Sequence, residues 1–410
     1  MKGFTTKALH AQLPKRDPHG SLRIPVYDSV AFEFDSAQDI QLAFEGQKLA
    51  HTYSRISNPT VEDFENRVRV LADAYGVLAV SSGMAAISNV ILTLAGAGTN
   101  IVAGRFLFGN TVSLFNRTLK PWGLTVRYVD VTNPATVEQA IDANTRAVFV
   151  EAITNPQLEV PDIEAIAAIA RKHSVPLIVD GTLTTPYLFR SKDFGAAVEV
   201  ISSTKHISGG ATSVGGLIID NGTFDWSLAP ALSEAFRRYG PSAFLMRLRR
   251  EVYRNLGACL SPHNAYLQTL GLETLALRIE RSCQNALELA HFLRQHPKVR
   301  SVNYPGLPDS PYHAIARKQF RGRYGALLTF ELESQEACFR LIDSLRIVRR
   351  ATNLNDNKTL IIHPFSTIVC EYSPEERRAM GISERMLRLA VGIEDIEDLI
   401  DDLSQALQSV

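Results

Sequence analysis

At 410 residues the chain exceeds one small core, and its 43 Lys and Arg balance its 43 Asp and Glu, leaving no net charge. That balance argues against a nucleic-acid or anionic-membrane surface as the main partner. Four scattered cysteines (Cys259, Cys283, Cys338, Cys370) suggest neither a disulfide framework nor a zinc knuckle, and no run of apolar residues is long enough for a signal peptide or a membrane span, which reads as a soluble protein of the reducing cytoplasm.

Residues 1–60 are rich in Pro, Asp, Ser and Gly with few periodic apolar positions, so they predict an arm lying across something else, such as another subunit. From Val61 the spacing of Val61, Phe64, Val68 and Leu71 predicts a helix. The strand Gly76–Val80 then runs into Ser81-Ser-Gly-Met-Ala-Ala86 and a helical stretch through Leu94. Strand, small polar turn and helix, in that order, place free backbone N–H groups and a positive dipole end at one spot, which suits a phosphate.

Strand-like segments follow at 99–103, 124–129, 147–151, 176–180, 198–202 and 216–220, with helical windows at 136–143 and 162–173. Such alternation predicts a mostly parallel sheet covered on both faces, with ligands beyond the carboxyl ends of its strands. After Asn221 the chain reads as helical and Arg-rich through Tyr253, and one long helix is predicted over 263–293. Strand-like 299–304, 326–331 and 359–363 and the helix Ile396–Leu407 complete a smaller α+β unit. The predicted division is an arm over 1–60, an α/β domain over 61–250 and a second domain over 251–410.

Two residues at predicted strand ends carry chemistry. Asp180 closes the apolar run Val175-Pro-Leu-Ile-Val-Asp180, where a carboxylate either caps a following helix or meets a cation. Lys205 follows the strand and hydroxyl cluster Val198-Glu-Val-Ile-Ser-Ser-Thr204. An amine for an aldehyde, a carboxylate for a pyridinium nitrogen and donors for a phosphate are the parts that pyridoxal 5′-phosphate needs. The histidines show no metal-ligand spacing, and no Gly-rich nucleotide loop follows a strand.

The chain resembles, over nearly its full length, the Cys/Met-metabolism family of pyridoxal-phosphate enzymes. The resemblance is carried in order by Tyr53-Ser-Arg55 with Asn58-Pro-Thr60, Ser81-Ser-Gly-Met-Ala85, Asn155-Pro156, Asp180, Ser202-x-Thr204-Lys205, Gly215-Gly216, Leu260-Ser-Pro262, Gly271-Leu-Glu-Thr-Leu275, His363-Pro364 and Arg388-Leu-x-Val-Gly392-Ile-Glu394. It implies a fold type I transferase resembling aspartate aminotransferase, with Lys205 holding the cofactor and shuttling protons and Asp180 pairing with the pyridinium. It further implies that Ser82, Gly83, Met84, Ser202 and Thr204 serve the phosphate, with Tyr53 and Arg55 reaching in from the neighbouring subunit of a homotetramer built from site-sharing dimers. Phe108 then covers the ring, Asn155 contacts cofactor or substrate, and Arg388 with Asn353 receives the substrate.

Departures from the family pattern bear on the substrate. The stacking residue is Phe108 rather than Tyr, so acid–base duty falls to Lys205, Tyr53 or water. Asn110 stands where the γ-lyases that release methanethiol place Cys, and Thr352-Asn353-Leu354 lacks the Glu of cystathionine-handling members. Gly181 replaces an Asn, and Ile368-Val369 replaces a Thr-His pair. These features favour γ-replacement on O-acetyl-L-homoserine by sulfide or carrier-bound sulfur, giving homocysteine for methionine biosynthesis. The alternatives are cystathionine γ-synthesis, methionine γ-lyase-type elimination, or a cofactor-binding sulfur-relay protein that docks a carrier near Ile368–Glu371.

Overall fold

Seven apolar stretches build the larger sheet of the structure, a computed structural model that describes residues 2–11, 17 and 19–410. They are β1 (Gly76–Val80), β2 (Asn100–Gly104), β3 (Thr125–Val129), β4 (Thr145–Glu151), β5 (Leu177–Asp180), β6 (Val198–Ile201) and β7 (Gly216–Asp220). Their spatial order is β1-β7-β6-β5-β4-β2-β3, parallel from β6 through β3, with β7 antiparallel to both neighbours. Strands β1, β2, β6 and β7 are buried along their whole length, as expected where helices cover both faces. One face packs on the helix Gly83–Leu94 and on Trp226, Phe244 and Leu248; the other packs on the helices Pro59–Ala72 and Ile163–Lys172.

The Arg-rich stretch after Asn221 is not a continuous helix. Between Trp226 and Leu256 it breaks into short 3-10, α and π turns, because Pro230 and the Gly240-Pro241 pair interrupt the hydrogen-bond ladder. Trp226 nonetheless stacks on Phe244 with ring centres 4.5 Å apart, which seals that face of the sheet.

The long helix predicted over 263–293 is two helices, Pro262–Glu273 and Leu275–Gln295, separated at Thr274 (φ −106°, ψ 4°). The first lies on the helix Pro59–Ala72, whereas the second runs from the core of the large sheet into that of the small one. A 3.6-residue apolar pattern continues across such a break, so periodicity alone does not reveal it.

The second sheet comprises β8 (Ser301–Asn303), β9 (Leu327–Glu331), β10 (Arg349–Arg350), β11 (Leu360–Ile362) and β12 (Met386–Ala390), in the order β10-β11-β12-β9-β8. Only β10 and β11 pair in parallel. The helices Gln335–Ser344 and Ile396–Leu407 cover it, and the second has the limits read from the sequence.

The described part of the amino-terminal arm carries the helices Phe4–His10 and Ala37–Glu45 and is mostly exposed. Its base is fastened. Arg23 makes a bidentate pair with Glu273 (2.6 and 2.8 Å), and Thr60 Oγ1 accepts from the Tyr27 N–H (2.9 Å) while donating to the Pro25 carbonyl (2.7 Å). Farther out, a bridge from Ala31 to Tyr53 and a bond from the Ser54 N–H to the Val30 carbonyl fold the arm back on itself.

Candidate active site

The carboxyl ends of β4, β5 and β6 open on a cavity of about 370 Å³ whose far wall comes from the second sheet. Lys205 stands in the turn beyond β6 rather than on a strand, four residues past Ile201. That turn is stiffened by bonds from the Ser208 N–H to the Ser203 carbonyl and from the Gly209 N–H to the Lys205 carbonyl, both 2.9 Å. The Lys205 ammonium donates to Asn353 Oδ1 (2.7 Å), and Asn353 is oriented by its own bond to Asp356 Oδ2 (3.0 Å). Burial, then the Arg388 charge nearby, lowers the proton affinity of Lys205, as a proton-shuttling amine requires.

Asp180 caps no helix. Its Oδ1 accepts the Thr182 N–H (2.9 Å) in a tight turn, and the residue keeps a face open to the cavity. Directly opposite in register lies Glu151, at the end of β4, whose Oε1 accepts the Phe108 N–H (2.5 Å). Burial raises the pKa of both carboxyls, and that of Glu151 rises further because Asp180 is beside it. Two carboxyls in one low-dielectric site do not both ionise readily, so a charge on either one discourages ionisation of the other. Sequence reasoning missed Glu151, although the signal was the one used for Asp180: a carboxylate ending the apolar run Ala147-Val-Phe-Val-Glu151.

At the other end, Ser82 caps the helix Gly83–Leu94 by accepting the Ala85 N–H (3.0 Å), and the first intrahelical bond is Ala86 N–H to Ser82 O. The amides of Gly83 and Met84 therefore precede the ladder at a positive helix end. A Cβ on Gly83 would stand 2.6 Å from that of Ser202, so only glycine lets this helix start close against the end of β6. The Thr204 hydroxyl is engaged with Gly215, donating to its carbonyl (3.1 Å) and accepting from its N–H (3.0 Å).

Arg388 lies mid-strand in β12 and is 2% exposed. Its guanidinium donates to Asn155 Oδ1 (3.0 Å) and to the carbonyls of Thr352 (3.2 Å) and Asn353 (3.3 Å), while Nε has no partner. Among the described residues no carboxylate pairs with it, and burial brings its pKa down to about 10. A buried cation without a counter-charge is costly, and a carboxylate ligand in the cavity would relieve that cost.

Of the residues predicted from sequence, Ser82, Gly83, Met84, Phe108, Asn155, Asp180, Ser202, Thr204, Lys205 and Arg388 line this one cavity, and Asn353 joins them through Lys205. Tyr53 and Arg55 do not. Tyr53 is 42% exposed, and Arg55 lies 5.5 Å from the Tyr53 ring centre and donates to the Arg254 carbonyl (2.6 Å).

The sequence pattern described as Cys/Met metabolism PLP-dependent enzyme matches residues 5–408. The chain belongs to that family. The O-acetyl-L-homoserine sulfhydrylase 1 of Thermus thermophilus is 40% identical, covering 98% of this chain and 99% of its own. A solved O-acetylhomoserine sulfhydrylase from the methionine biosynthetic pathway of Wolinella succinogenes is 48% identical, with a TM-score of 0.80 over 99% of this chain and 100% of that one. A putative O-acetylhomoserine (thiol)-lyase of Campylobacter jejuni, solved with an N′-pyridoxyl-lysine-5′-monophosphate at position 205, is 36% identical with a TM-score of 0.93, again over 99% and 100%.

This Cys/Met metabolism enzyme is thus a fold type I, pyridoxal-phosphate-dependent protein acting on a small amino acid. The cavity fits the cofactor. It offers one half-buried amine, a strand-end carboxyl that opens on the cavity and a helix start whose glycine leaves the backbone bare. Among the described residues no helix is long and apolar enough to cross a membrane.

Proposed function

We propose that the enzyme replaces the acetate of O-acetyl-L-homoserine with sulfide, yielding homocysteine and acetate. The carrying observation is the distribution of carboxylates in the cavity. Among the described residues only Glu151 and Asp180 line it as carboxylates, both at the strand ends, while the lining from between β10 and β12 is Thr352, Leu354 and Ile368. A second amino acid, such as cysteine, would find no further carboxylate lining the cavity for its ammonium group, since Asp356 is taken up behind Asn353, whereas sulfide needs none.

In this reading Lys205 would carry the cofactor, with Asp180 facing the ring nitrogen and Phe108 covering the ring. Gly83, Met84, Ser82, Ser202 and Thr204 would serve the phosphate. Once bound, pyridoxal 5′-phosphate supplies an electron sink that acidifies the hydrogens on Cα and then Cβ of an amino acid. Arg388 takes the substrate carboxylate in a bidentate grip, in a plane fixed by Asn155 and the carbonyls of Thr352 and Asn353. Lys205, its Nζ aimed by Asn353, moves the proton at Cα. The Cγ–O bond breaks and a Cγ–S bond forms, with acetate as the leaving group.

Tyr53 and Arg55 would complete the phosphate site of a second copy, within a homotetramer of site-sharing dimers. Support comes from the exposed arm, where Phe44 and Leu49 present apolar surface. Mixing Lys205→Ala chains with Arg55→Ala chains tests this, because hybrid dimers regain one intact site; recovery of up to about a quarter of wild-type activity is expected from symmetric pairing. No recovery would show that each chain completes its own site.

The donor is tested by supplying O-acetylhomoserine with sulfide and, separately, with cysteine. Homocysteine from sulfide, with little cystathionine from cysteine, is expected. Dominant cystathionine formation would overturn the reading. Equal activity with free sulfide and with a carrier bearing a terminal thiocarboxylate would remove any need for a carrier partner.

A further inference from the structure

Ile368 lines three neighbouring cavities, and among the described residues it is the only one to do so. The first is the active cavity of about 370 Å³. The second, about 530 Å³, is polar and lies outward, walled by Asn110, Ser113, Thr118, Thr367, Cys370 and Glu371. The third, about 200 Å³, lies beside Phe106, Tyr128 and Met380. The outer cavity reaches solvent at the Arg117–Glu371 ion pair (3.2 Å), whose side chains are both more than half exposed. It meets the active cavity at Met84 and Ile368.

The partition is narrow and held in place. On the facing turn, a Cβ on Gly109 would stand 3.3 Å from the Ile368 carbonyl oxygen, so the two backbones are nearly in contact. The Thr367 N–H donates to the Pro364 carbonyl (3.1 Å) and the Cys370 N–H to the Thr367 carbonyl (3.2 Å). Arg377 then clamps the segment, donating to the carbonyls of Phe365 (3.0 Å), Cys370 (2.7 Å) and Tyr372 (2.7 Å), with its guanidinium 4.8 Å from the Phe365 ring centre. Ile368 itself packs on the small cluster of Phe365, Val369, Ile382 and Met386. A branched side chain on a braced turn does not swing aside freely.

We propose that Ile368 sets the size of the sulfur nucleophile: sulfide passes from the outer cavity to the substrate, and thiols bearing a carbon chain are held back. The inference rests on the sulfhydrylase reading and adds the residue that selects the donor. Each methylene excluded from or admitted to an apolar passage changes discrimination by about 10–200-fold, so shortening Ile368 should shift the balance between donors measurably.

The test compares kcat/KM for ethanethiol with that for sulfide, using the holoenzyme and O-acetylhomoserine, in wild type, Ile368→Val and Ile368→Ala. The ethanethiol-to-sulfide ratio is expected to rise by about tenfold or more in Ile368→Val, which removes one methylene, and further in Ile368→Ala. Each ratio is internal to one variant, so a general loss of activity cancels, and the valine variant carries the test if the alanine variant does not fold. A ratio within twofold of wild type in the folded variants, with homocysteine still formed, overturns the inference alone. A wild-type enzyme that forms no homocysteine from sulfide overturns the reading beneath it.

Discussion

The floor of the active cavity stands on strands β5 and β6, which lie inside the sheet with helices packed over both faces, and it places Asp180 at the end of β5 and Lys205 in the turn beyond β6. The rim between β10 and β12 rests instead on two guanidiniums, Arg388 on the carbonyls of Thr352 and Asn353 and Arg377 on those of Phe365, Cys370 and Tyr372, and on a cluster of four buried side chains. The floor carries Asp180 and Lys205, the groups assigned to the chemistry in the proposed reading, and there the chain keeps the family pattern except at Gly181. The rim carries Thr352 and Ile368, where the chain departs from that pattern, beside Leu354, which keeps it. On the proposed reading, reaction type and donor choice reside in separate regions, and altering one should have limited effect on the other.

The largest effect is expected at the floor. In the proposed reading Lys205→Ala removes both the covalent hold on the cofactor and the proton carrier, so turnover should fall by at least about a thousandfold and the visible band of the lysine-bound cofactor should be lost. Retention of both would place the chemistry elsewhere.

Beneath the floor, Glu199 lies in the space that a side chain at position 181 would fill, which only Gly181 leaves open. Its Oε2 accepts from Ser191 Oγ (2.6 Å), Oε1 has no partner, and burial pushes its pKa up to about 8 from 4.5. The unfolded chain releases this proton from about pH 4.5 upward while the folded one keeps it until about pH 8. Stability should accordingly fall across that window and level off above it, by about 4 kcal/mol. Denaturant titrations from pH 5 to 8.5 should show a flatter profile for Glu199→Gln than for wild type. Identical slopes would mean that Glu199 is already ionised in the fold.

Arg388→Lys keeps the charge and loses the bidentate grip, so kcat/KM for O-acetylhomoserine should drop about a hundredfold, mostly through KM. A change confined to kcat would argue that Arg388 does not hold the carboxylate. The smallest effect belongs to the rim. Arg377→Ala removes three bonds to backbone carbonyls, and thermal unfolding should register a loss of about 1–3 kcal/mol while cofactor absorbance is retained. Loss of the cofactor spectrum would show that floor and rim are not separable.

Much of the floor was legible in the sequence because strand ends in a parallel sheet collect ligand-binding groups, and runs such as Gly76–Val80 and Gly216–Asp220 have limits set by their own residues. Asp180 and Lys205 followed from that rule. Glu151 obeyed the same rule and was passed over, because its role depends on standing beside Asp180, and register is a property of the folded sheet. The break at Thr274 and the turn that holds Lys205 are likewise features that apolar periodicity does not record. At the rim, Ile368 was visible only as a departure from a pattern. Its place between cavities arises from segments far apart in the chain, the turn at Gly109 and the clamp at Arg377.

The most direct measurement is the product balance of the holoenzyme with O-acetylhomoserine and sulfide. Acetate and homocysteine appearing in equal amounts, without 2-oxobutanoate or ammonia, is the predicted result. Acetate matched by 2-oxobutanoate and ammonia, whether or not sulfide is supplied, would make the enzyme an eliminating lyase and contradict the account.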